Sequence, residues 1–594
     1  MNSIISKLIK NLSSHGRRQA ATFKYTESDG WKSYTWTELQ NLVMQVSKSL
    51  VSLGLKPQEN VAIFSQNKVE WVIADMGIMG PGAVTVPIYA TNTASQAKYI
   101  IDEAEIRIVF VGDQEQYDKI LEIYQESGSK IEHIIVLSNK VAIQNEAAVS
   151  FNKFLELGKD IADQEIEQRM RNVAESDLAT IIYTSGTTGE PKGVMLSHGN
   201  FNELFRIHDH RLQLSQKDHS MCFLPLSHVF ERCWTLYMLY MGIKNTYLEN
   251  PKEIVQTLQQ VKPTLMCSVP RLYQKAYHTI LAKAESGSPM KRRLFHKAIE
   301  VGKQVSRLKN SGKDIPIGLQ TKAWFFDTLV FTKIRKAFGG KLRMMPTAGA
   351  PLSAEITEFF HALGMPLLIG YGLTETTATV SVFPDRGFTF GTVGVSMPEV
   401  QVKIGANDEI LIKGKTIMQG YYKKQAETDK VLEDGWLKTG DAGKIDEHGN
   451  ITITDRIKDL MKTAGGKYVA PQHIESILTN DNFIENAILI GDDKPYVSAL
   501  LVPNMEALKE YAHSLSLSYH SMEELLNKSH IHEFYEKKLE QLQQGLANFE
   551  KVKKFRLLPN DFSMNLGELT PTLKIRRQII ISHFRDMIDD MYAL

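Results

Sequence analysis

Short apolar runs alternate with amphipathic stretches in the first quarter of the chain. Runs rich in β-branched residues, typical of buried strands, occur at 61–66 (VAIFSQ), 83–89 (AVTVPIY), 106–112 (IRIVFVG) and 131–138 (IEHIIVLS). Helical patterns fill 69–82 and 95–104. This alternation predicts an α/β fold of helix-covered parallel sheets, with ligands at the carboxyl ends of the strands.

The segment 31–55 is predicted to be a strand followed by a helix with clear end signals. The strand covers 31–36, and Thr37-x-x-Gln40 then fits a capping box, which satisfies free backbone N–H groups at a helix start. Gly54 follows the last apolar position and is expected to end the helix.

The stretch YTSGTTGEPKGVMLSH at 183–198 is the strongest candidate for chemistry. A buried strand is predicted before it (LATIIYT, 178–184) and a second strand after it, so the loop between them closes a hairpin. Glycines let backbone N–H groups turn inward as an anion nest, while hydroxyls and a lysine add donors and positive charge. These groups come from Thr184, Ser185, Gly186, Thr187, Thr188, Gly189 and Lys192. We expect them to bind a polyanion, most simply the phosphates of a nucleotide.

Two other interpretations compete for this loop. Gly and Ser are also typical of a plain surface loop. A Walker-type phosphate loop requires Gly-Lys-Ser/Thr leading into a helix. Here Lys192 stands between Pro191 and Gly193, and a strand pattern follows. The string therefore indicates a phosphate loop of another kind.

Two further strands are predicted to run into glycine-containing turns, at 342–351 (LRMMPTAGAP) and 366–376 (PLLIGYGLTET). Gly349, Ala350 and Pro351 leave a flat backbone surface, and Tyr371 offers an aromatic face, so an adenine ring fits between them. Thr374 and Glu375 follow directly. A carboxylate beside bound phosphates suits Mg²⁺, which proteins usually hold through one or two carboxylates plus phosphate oxygens.

The pattern changes from residue 391, where short strands and tight turns predict a small β-structure that reaches about residue 456. Asp441 and Arg456 are candidates for binding ribose hydroxyls. The composition of residues 455–471 (DRIKDLMKTAGGKYVAP) is typical of a connection between two domains. Gly465 and Gly466 within it allow another backbone to approach closely. A smaller α+β unit follows to residue 594, with Lys574 in a loop after Pro571.

Residues 221–241 predict a strand, a turn at Pro225 and a largely apolar helix that begins at His228. A histidine there is a candidate for lining a cleft, although a lone histidine at a helix end is more often structural. Trp234, Tyr237, Met238 and Met241 fit either a lipid tunnel or an ordinary buried helix.

Composition narrows the class of protein. The 594 residues predict about three to four domain-sized units. Lys and Arg (69) balance Asp and Glu (68), which argues against nucleic acid as the main partner. Cys222, Cys233 and Cys267 lack metal-site or disulfide spacing, so a reducing, cytoplasmic location is expected.

No apolar run is long enough to span a membrane, but two segments are candidates for peripheral contact with its inner face. Residues 1–12 place Ile4, Ile5, Leu8, Ile9 and Leu12 on one helical stripe, which fits an interfacial helix or a helix packed on its own domain. Residues 291–309 are basic and helical, which fits a membrane or acyl-carrier contact, or a solvated face. The oligomeric state stays open.

Together, YTSGTTGEPKG, GAP, YGLTET, TGD, DRIKD and LTPTLK resemble the adenylate-forming superfamily of acyl-CoA synthetases, luciferases and peptide-synthetase adenylation domains. The motifs stand in family order and cover nearly the whole chain. LPLSHVFER (224–232), the segment 275–340 and GELTPTLKIRR (567–577) are most similar to long-chain fatty acid–CoA ligases. The resemblance implies a large ATP- and fatty-acid-binding domain (1–456) and a mobile α+β lid domain (457–594), with a hinge at Lys458.

The resemblance also implies roles at the matching positions. Thr184 to Gly189 and Lys192 would bind the β- and γ-phosphates, and Thr184 with Glu375 would serve Mg²⁺. Gly349 to Pro351, Tyr371 and Gly372 would bracket adenine, and Asp441 with Arg456 would hold ribose. Thr374 would touch the α-phosphate, His228 would belong to the catalytic set, and Lys574 would bridge the fatty carboxylate and the α-phosphate. Lys462, Gly465 and Gly466 would face phosphate or CoA.

The implied reaction has two steps. Carboxylate and ATP give acyl-AMP and pyrophosphate, and the CoA thiolate then displaces AMP while the lid exchanges Lys574 for the face at Gly465 and Gly466. Two alternatives remain: an acyl-AMP ligase that loads a carrier protein, and an acyl-CoA ligase for medium-chain or aromatic acids. A phosphotransferase that uses 183–192 for ATP, or an inactive lipid-binding scaffold, would be a different class. One departure from the family pattern is Arg232, which stands where some members have an aromatic gate; Trp234 is nearby but not equivalent.

Overall fold

The computed structural model describes residues 4–25, 30–184, 190–564, 566–570 and 575–593. Two mixed sheets and the helices that cover them form a large N-terminal domain, and a smaller domain with its own sheet follows. The predicted α/β class and the division into a large and a small domain are confirmed.

The first sheet has eight strands, and its central strands are parallel because helices return the chain between them. Its faces alternate along the chain: Val61 and Ile63 belong to one core cluster, and Ala62 and Phe64 to another. In spatial order, its strands are Gly420–Tyr421, Lys192–Ser197, Leu178–Thr184, Val84–Tyr89, Asn60–Ser65, Ile108–Val111, His133–Val136 and Ala148–Ser150.

The second sheet is assembled from two four-stranded pieces, which isolated bridges through Leu265 and Ser268 connect. The first piece contains Gly30–Thr35, Gln19–Tyr25, Lys244–Tyr247 and His219–Cys222. The second contains Met345–Thr347, Leu367–Tyr371, Ser381–Val382 and Val395–Ser396. Its parallel strands 345–347 and 367–371 end beside the candidate site.

Helices cover both faces of each sheet, so the large domain is built in alternating helix and sheet layers. One core lies between the sheets, and separate cores lie on their outer faces. The helices before residue 457 are Ile4–His15, Trp36–Ser52, Val69–Met79, Ala94–Glu103, Gln114–Gln125, Phe151–Glu156, Asp163–Asn172, His198–Arg211, Val229–Tyr240, Ile254–Val261, Pro270–Glu285, Pro289–Asn310, Ile317–Phe326, Thr332–Ala337, Ala354–Ala362 and Gln425–Val431, with a π-helix at Asp327–Phe331.

The predicted small β-structure is confirmed as a five-stranded antiparallel sheet, made of Gln401–Ile404, Glu409–Lys413, Leu432–Glu433, Trp436–Ile445 and Ile451–Arg456. After it, the small domain has a hairpin (Met461–Lys462, Tyr468–Val469) and a sheet (Ile484–Ile490, Val497–Pro503, Val552–Leu557). Its helices are Pro471–Thr479, Met505–Ser514, Met522–Leu526, Ser529–Leu542, Arg577–His583 and Arg585–Tyr592.

At the N-terminus one prediction is corrected, and of the two interpretations of the first helix the structure supports packing on its own domain. The capping box is Thr35 with Glu38, not Thr37 with Gln40: the Thr35 hydroxyl accepts from the Glu38 N–H and the Glu38 carboxylate accepts from the Thr35 N–H. A carboxylate completes the box better than an amide because it also carries favourable charge at the helix start. The N-terminal helix buries Ile4, Ile5 and Leu8 in the domain core, so this apolar stripe does not face a membrane.

The basic stretch 291–309 lies within the helix Pro289–Asn310, whose apolar side packs on the core through Phe295, Ala298 and Val301. Among the helices of the described ranges, none combines the length and apolar character that crossing a bilayer requires.

Candidate active site

The predicted hairpin around the phosphate loop is confirmed. The strands Leu178–Thr184 and Lys192–Ser197 pair antiparallel, with Thr184 opposite Lys192 and the Thr184 hydroxyl 3.5 Å from the Lys192 carbonyl oxygen. Since the second arm is a strand, a Walker-type loop leading into a helix is excluded. The loop positions Ser185, Gly186, Thr187, Thr188 and Gly189 lie outside the described residues.

Two residues that were not predicted from the sequence, Glu427 and Tyr421, contact the Lys192 side chain at the open end of this hairpin. Its Nζ pairs with Glu427 Oε2 at 2.5 Å and lies 5.0 Å from the ring centroid of Tyr421. The hydrogen bond from Lys192, with a further one from Lys430, lowers the pKa of the exposed Glu427 to about 2. Lys192 therefore presents its charge from a fixed position, next to a carboxylate that stays ionised.

Tyr421 also reaches the predicted metal ligand. Its hydroxyl donates to Glu375 Oε1 at 2.9 Å, and the Glu375 carbonyl accepts from the Met418 N–H. Glu375 sits with the buried Thr374 in a single 3₁₀ turn, Thr374–Thr376, directly after the strand Leu367–Tyr371. One tyrosine thus connects Glu375 with Lys192.

Asp441, Arg456 and Tyr371 form a second polar group. Asp441 and Arg456 are register partners on neighbouring strands, with Arg456 Nε 3.2 Å from Asp441 Oδ1. The Tyr371 hydroxyl donates to Asp441 Oδ2 at 2.5 Å, and burial, reinforced by Asp441, raises the pKa of Tyr371. The two residues predicted for ribose and the aromatic residue predicted for adenine are therefore in direct contact.

The backbone around Tyr371 is tightly folded. A Cβ at Gly372 would lie 1.7 Å from the Ala378 carbonyl oxygen, so only glycine fits there. Thr377 and Ala378 both have positive φ angles (51° and 74°), which side-chain-bearing residues rarely adopt. Such strain is typical of functional turns. Gly349, Ala350 and Pro351 follow the neighbouring strand and are exposed, with φ at Gly349 of +96°.

A largely apolar pocket lies beside Tyr371. It is lined by Phe230 and Trp234 from one helix and by Ala348, Tyr371 and Thr379 from the turns of the second sheet, among others. Burial of Trp234, Tyr237 and Met238 agrees with the buried-helix interpretation. Trp234 lines the cavity, whereas Tyr237 and Met238 are fully buried packing residues that do not.

His228 precedes the helix Val229–Tyr240 and Arg232 lies within it, and both side chains make structural contacts. His228 is the N-cap residue, and its Nδ1 accepts from the Phe230 N–H at 3.2 Å. Arg232 is buried with Asp75, to which Nε and Nη2 donate at 2.9 and 2.5 Å, and its Nη1 donates to Thr180. The position of the expected gate therefore carries a buried ion pair.

The residues predicted for the hinge and the CoA face follow the small β-structure. Lys458 is exposed in the turn after Ile451–Arg456, and the Ile457 N–H bonds the Gly440 carbonyl oxygen. Lys462 lies in the hairpin that begins the small domain. Gly465 and Gly466 form its exposed tip, and Gly466 has a φ of +76°. Lys574 lies outside the described residues.

Solved structures share this architecture. An adenylation domain of a carboxylate reductase from Mycobacterium chelonae matches with a TM-score of 0.76 and 20% identity, over 100% of this chain and 91% of that one. The anthranilate CoA ligase AuaEII, solved with anthranoyl-AMP, matches with a TM-score of 0.74 and 18% identity, over 99% and 98% of the two chains. At these identities the likeness concerns the fold.

Sequence relatives are more similar. The long-chain-fatty-acid–CoA ligase FadD15 of Mycobacterium bovis is 32% identical, over 95% of this chain and 92% of that one. The long-chain-fatty-acid–CoA ligase ACSBG2 of Rattus norvegicus is 31% identical, over 95% and 89% of the two chains.

Residues 10–422 match the family described as AMP-binding enzyme, and residues 458–594 match the AMP-binding enzyme C-terminal domain. The first match contains Glu375 and Tyr421, and the second contains the glycine hairpin tip at Gly465 and Gly466. The chain therefore belongs to the AMP-binding enzyme family, within the adenylate-forming superfamily.

Proposed function

We propose that this protein is an AMP-forming long-chain fatty acid–CoA ligase. It joins a fatty acid to ATP to give acyl-AMP and pyrophosphate, and then transfers the acyl group to CoA. The observation that carries this proposal is the pair of tyrosine-held carboxylates, Glu375 with Tyr421 and Asp441 with Tyr371, beside the mouth of the phosphate-loop hairpin.

The nucleotide is assigned to the space between these groups. Asp441 accepts from Tyr371 on one oxygen and pairs with Arg456 on the other, and each carboxylate oxygen retains a lone pair for a ribose hydroxyl. Adenine lies against the ring of Tyr371, between Gly372 and the exposed backbone of Gly349 to Pro351. Lys192, Thr184 and the glycine-rich loop after it bind the β- and γ-phosphates.

Glu375 fits a Mg²⁺ ion. Within the described residues, no three His, Cys, Asp or Glu side chains are grouped for metal binding, and Mg²⁺ needs only one or two carboxylates when phosphates supply the other oxygens. The Tyr421 hydroxyl orients the Glu375 carboxylate. Thr184 ends the strand Leu178–Thr184, which pairs with Lys192–Ser197, the same strand that pairs with Gly420–Tyr421. A bound Mg²⁺ would neutralise charge on the leaving pyrophosphate.

The first step requires two anions to meet, because a carboxylate attacks an α-phosphate. Lys574 would neutralise both partners, and Thr374 would hold the α-phosphate from its 3₁₀ turn. Removing one such electrostatic contact typically costs on the order of 10²–10³ in rate. His228, whose Nδ1 is engaged as the helix cap, contributes by fixing the start of the helix that carries Phe230 and Trp234 to the cavity.

Two features support a long aliphatic acid as the substrate. The curated relatives quoted above are long-chain-fatty-acid–CoA ligases and cover nearly the whole chain. The cavity behind Tyr371 is lined mainly by apolar side chains, which favours an alkyl chain over a polar acid.

We also propose the boundary 456/457 between the domains, with Lys458 as the hinge and a mobile small domain. The core clusters of the small domain draw all their members from Met461 onward, so this domain has its own core. Free thiols at Cys222, Cys233 and Cys267 support a cytoplasmic location.

A panel of carboxylic acids with ATP and CoA tests the activity, with AMP, pyrophosphate and thioester measured together. Palmitate-like acids are expected to give the highest kcat/KM, with AMP and acyl-CoA in equal amounts. ADP instead of AMP would exclude the proposal, and preference for short or aromatic acids would overturn the chain length. Thioester formed only on a carrier protein would overturn CoA as acceptor.

The role of Lys574 is tested by splitting the reaction. Lys574→Ala is expected to lose most acyl-AMP formation, by about 10²-fold or more, yet to convert supplied acyl-AMP and CoA into thioester. The neighbouring Arg576→Ala, which removes an equally basic side chain, is the matched control. Equal loss of both half-reactions in Lys574→Ala would contradict the assigned role.

A further inference from the structure

A helix hairpin on the large domain exposes an apolar face that none of the described residues covers. The hairpin, residues 289–337, consists of the helix Pro289–Asn310 and the helical run from Ile317 to Ala337. One side of this run packs on the core through Phe326 and Phe331. Its other side exposes Ile317 (83%), Trp324 (71%), Phe325 (48%) and Leu329 (41%).

These four side chains share one side of the helical run, and Trp324, Phe325 and Leu329 are close neighbours along it. Their spacing of seven, eight and twelve residues from Ile317 keeps them on one side of a helix. Soluble proteins tolerate single exposed apolar residues, but a contiguous patch marks an interaction surface. The run is also fixed in shape, because Arg335 donates to both Asp327 carboxylate oxygens at 2.6 and 2.8 Å across the π-helical turn.

The charge around this stripe is strongly one-sided. Residues 289–341 contain 13 Lys and Arg but three Asp and Glu, a net charge of +10, in a chain whose total is +1. Lys313, Lys322 and Lys333 are exposed immediately before, within and after the stripe. The apolar face therefore sits within a strongly basic segment of the chain.

We propose that this surface docks the protein on a lipid bilayer with anionic headgroups. Aromatic side chains with flanking lysines suit the boundary between headgroups and acyl chains, where rings insert and cations meet lipid phosphates. Charge complementarity selects this occupant over a second copy of the chain, because pairing two copies would bring two surfaces of charge +10 together. The surface, defined by Ile317, Trp324, Phe325, Leu329, Lys313, Lys322 and Lys333, is called the docking surface below. The proposal goes beyond the catalysed reaction and is tested without substrate.

Vesicle flotation tests the docking surface with the full chain. The protein is expected to float with vesicles of phosphatidylcholine mixed with phosphatidylglycerol, weakly with phosphatidylcholine alone, and less at high salt. Trp324→Ser combined with Phe325→Ser should lower partitioning by about tenfold or more. Lys322→Glu combined with Lys333→Glu should remove the preference for anionic vesicles. The matched control is Leu157→Ser with Leu515→Ser, which removes two exposed apolar side chains elsewhere and should change nothing.

Tryptophan fluorescence locates the contact. Of the six tryptophans, Trp36, Trp71 and Trp234 are buried and Trp31 and Trp436 are partly buried, so Trp324 is the exposed one. Lipids with brominated acyl chains should quench wild-type fluorescence, and Trp324→Phe should abolish that quenching while still floating. Absence of flotation with anionic vesicles would overturn the proposal, as would flotation that survives both double substitutions. A substituted surface that alters the oligomeric state but not partitioning would assign the surface to a second copy instead.

Discussion

Arg232 and Asp75 form an ion pair in the interior of the large domain, where the exposed fractions of the two side chains are 1% and 0%. Taking two charges out of water is costly, and the bidentate geometry together with the Thr180 hydroxyl offsets that cost. The ion pair connects the helix Val229–Tyr240 with the helix Val69–Met79, and the Arg232–Thr180 hydrogen bond connects it with the strand Leu178–Thr184. It therefore supports the strand that leads into the phosphate loop.

Arg232→Met is expected to lower the free energy of unfolding by about 3–5 kcal/mol, because Asp75 would remain buried without a partner. Urea unfolding followed by circular dichroism measures this loss. Combining Arg232→Met with Asp75→Leu should recover much of it. The exposed pair Lys438–Glu433 provides the control, since Lys438→Ala should leave stability nearly unchanged. A loss as small as that of the control would show that Asp75 is not isolated.

Glu231, next to Arg232 in sequence, gives the stability of the fold a predictable pH dependence. It is fully buried and accepts from the Leu224 N–H, the Cys267 thiol and the Thr235 hydroxyl. Burial raises its pKa from the ordinary value of 4.5 to about 7. Between these two values the native state binds the proton more tightly than the unfolded chain, so the stability from this group is present at low pH and lost as pH rises.

Glu231→Gln should therefore gain stability relative to the parent protein as pH rises. From pH 5 to pH 8 the difference in unfolding free energy should move in favour of the variant by about 2–3 kcal/mol. The buried His198 and His208, whose pKa values burial lowers to about 4 and about 3, act in the opposite direction but cancel in this comparison. The exposed Glu447→Gln should show no such trend, and a flat difference for Glu231→Gln would refute the assignment.

At the scale of the element, the strand Gly420–Tyr421 organises the site although it is only two residues long. It pairs with Lys192–Ser197, and this pairing brings the Tyr421 hydroxyl to Glu375 and its ring to Lys192. Groups that orient a metal ligand from outside typically affect metal affinity by 10–100-fold. Tyr421 thus couples the proposed magnesium ligand to the hairpin proposed to bind phosphates.

Tyr421→Phe is expected to raise the Mg²⁺ concentration for half-maximal pyrophosphate release by about tenfold, because Glu375 loses its orienting donor while the ring beside Lys192 remains. Titrating Mg²⁺ at saturating ATP measures the shift. Tyr422→Phe is the matched control, since that hydroxyl contacts Asn60 instead. If both variants titrate alike, Tyr421 does not act through the metal ligand.

The sequence predicts elements well where the signal is local. The strands Asn60–Ser65 and Val84–Tyr89 and the hairpin around the phosphate loop follow from periodicity and turn residues, and their predicted ends differ from the observed ones by one or two positions. The prediction of the helix cap was wrong because two threonines, Thr35 and Thr37, are candidates within three residues. Glu38 is the better partner, and it pairs with Thr35. A helix cap can be predicted from the sequence only when the candidate partners of each possible cap residue are compared.

Contacts between distant segments were not predictable in the same way. Glu427 and Tyr421 stand in GYYKKQAETD, an ordinary surface composition, more than 220 residues from Lys192, and only the sheet topology brings them together. The Arg232–Asp75 pair did leave a signal. Each is a charged residue inside a largely apolar helix, and a charge in such a run is expected to find a buried partner.

For the whole molecule, polar contacts connect the two domains. Arg271 on the large domain pairs with Glu485 and Asp561 of the small one, and all three side chains are at least 40% exposed. The Gln472 N–H donates to Asp455 across the joint. Exposed ion pairs contribute little stability, and interfaces of this kind permit relative motion of domains. This character suits the proposed lid, which would present two different faces to one site.

Gly466→Leu tests that motion, because the tip of the hairpin Met461–Val469 serves the second step alone in the proposed cycle. Adenylation should stay within about twofold of the wild-type rate, whereas thioester formation should fall by about tenfold or more, since a side chain replaces the flat backbone that admits CoA. Single-turnover measurements with ATP and acid, and then with supplied acyl-AMP and CoA, separate the steps. Gly449→Leu controls for backbone strain, because it has a similar φ of +81° in a turn of the other domain. Unchanged CoA transfer in Gly466→Leu would mean that this tip never meets CoA. Parallel losses in both steps would mean that the substitution damages the small domain itself rather than one of its faces.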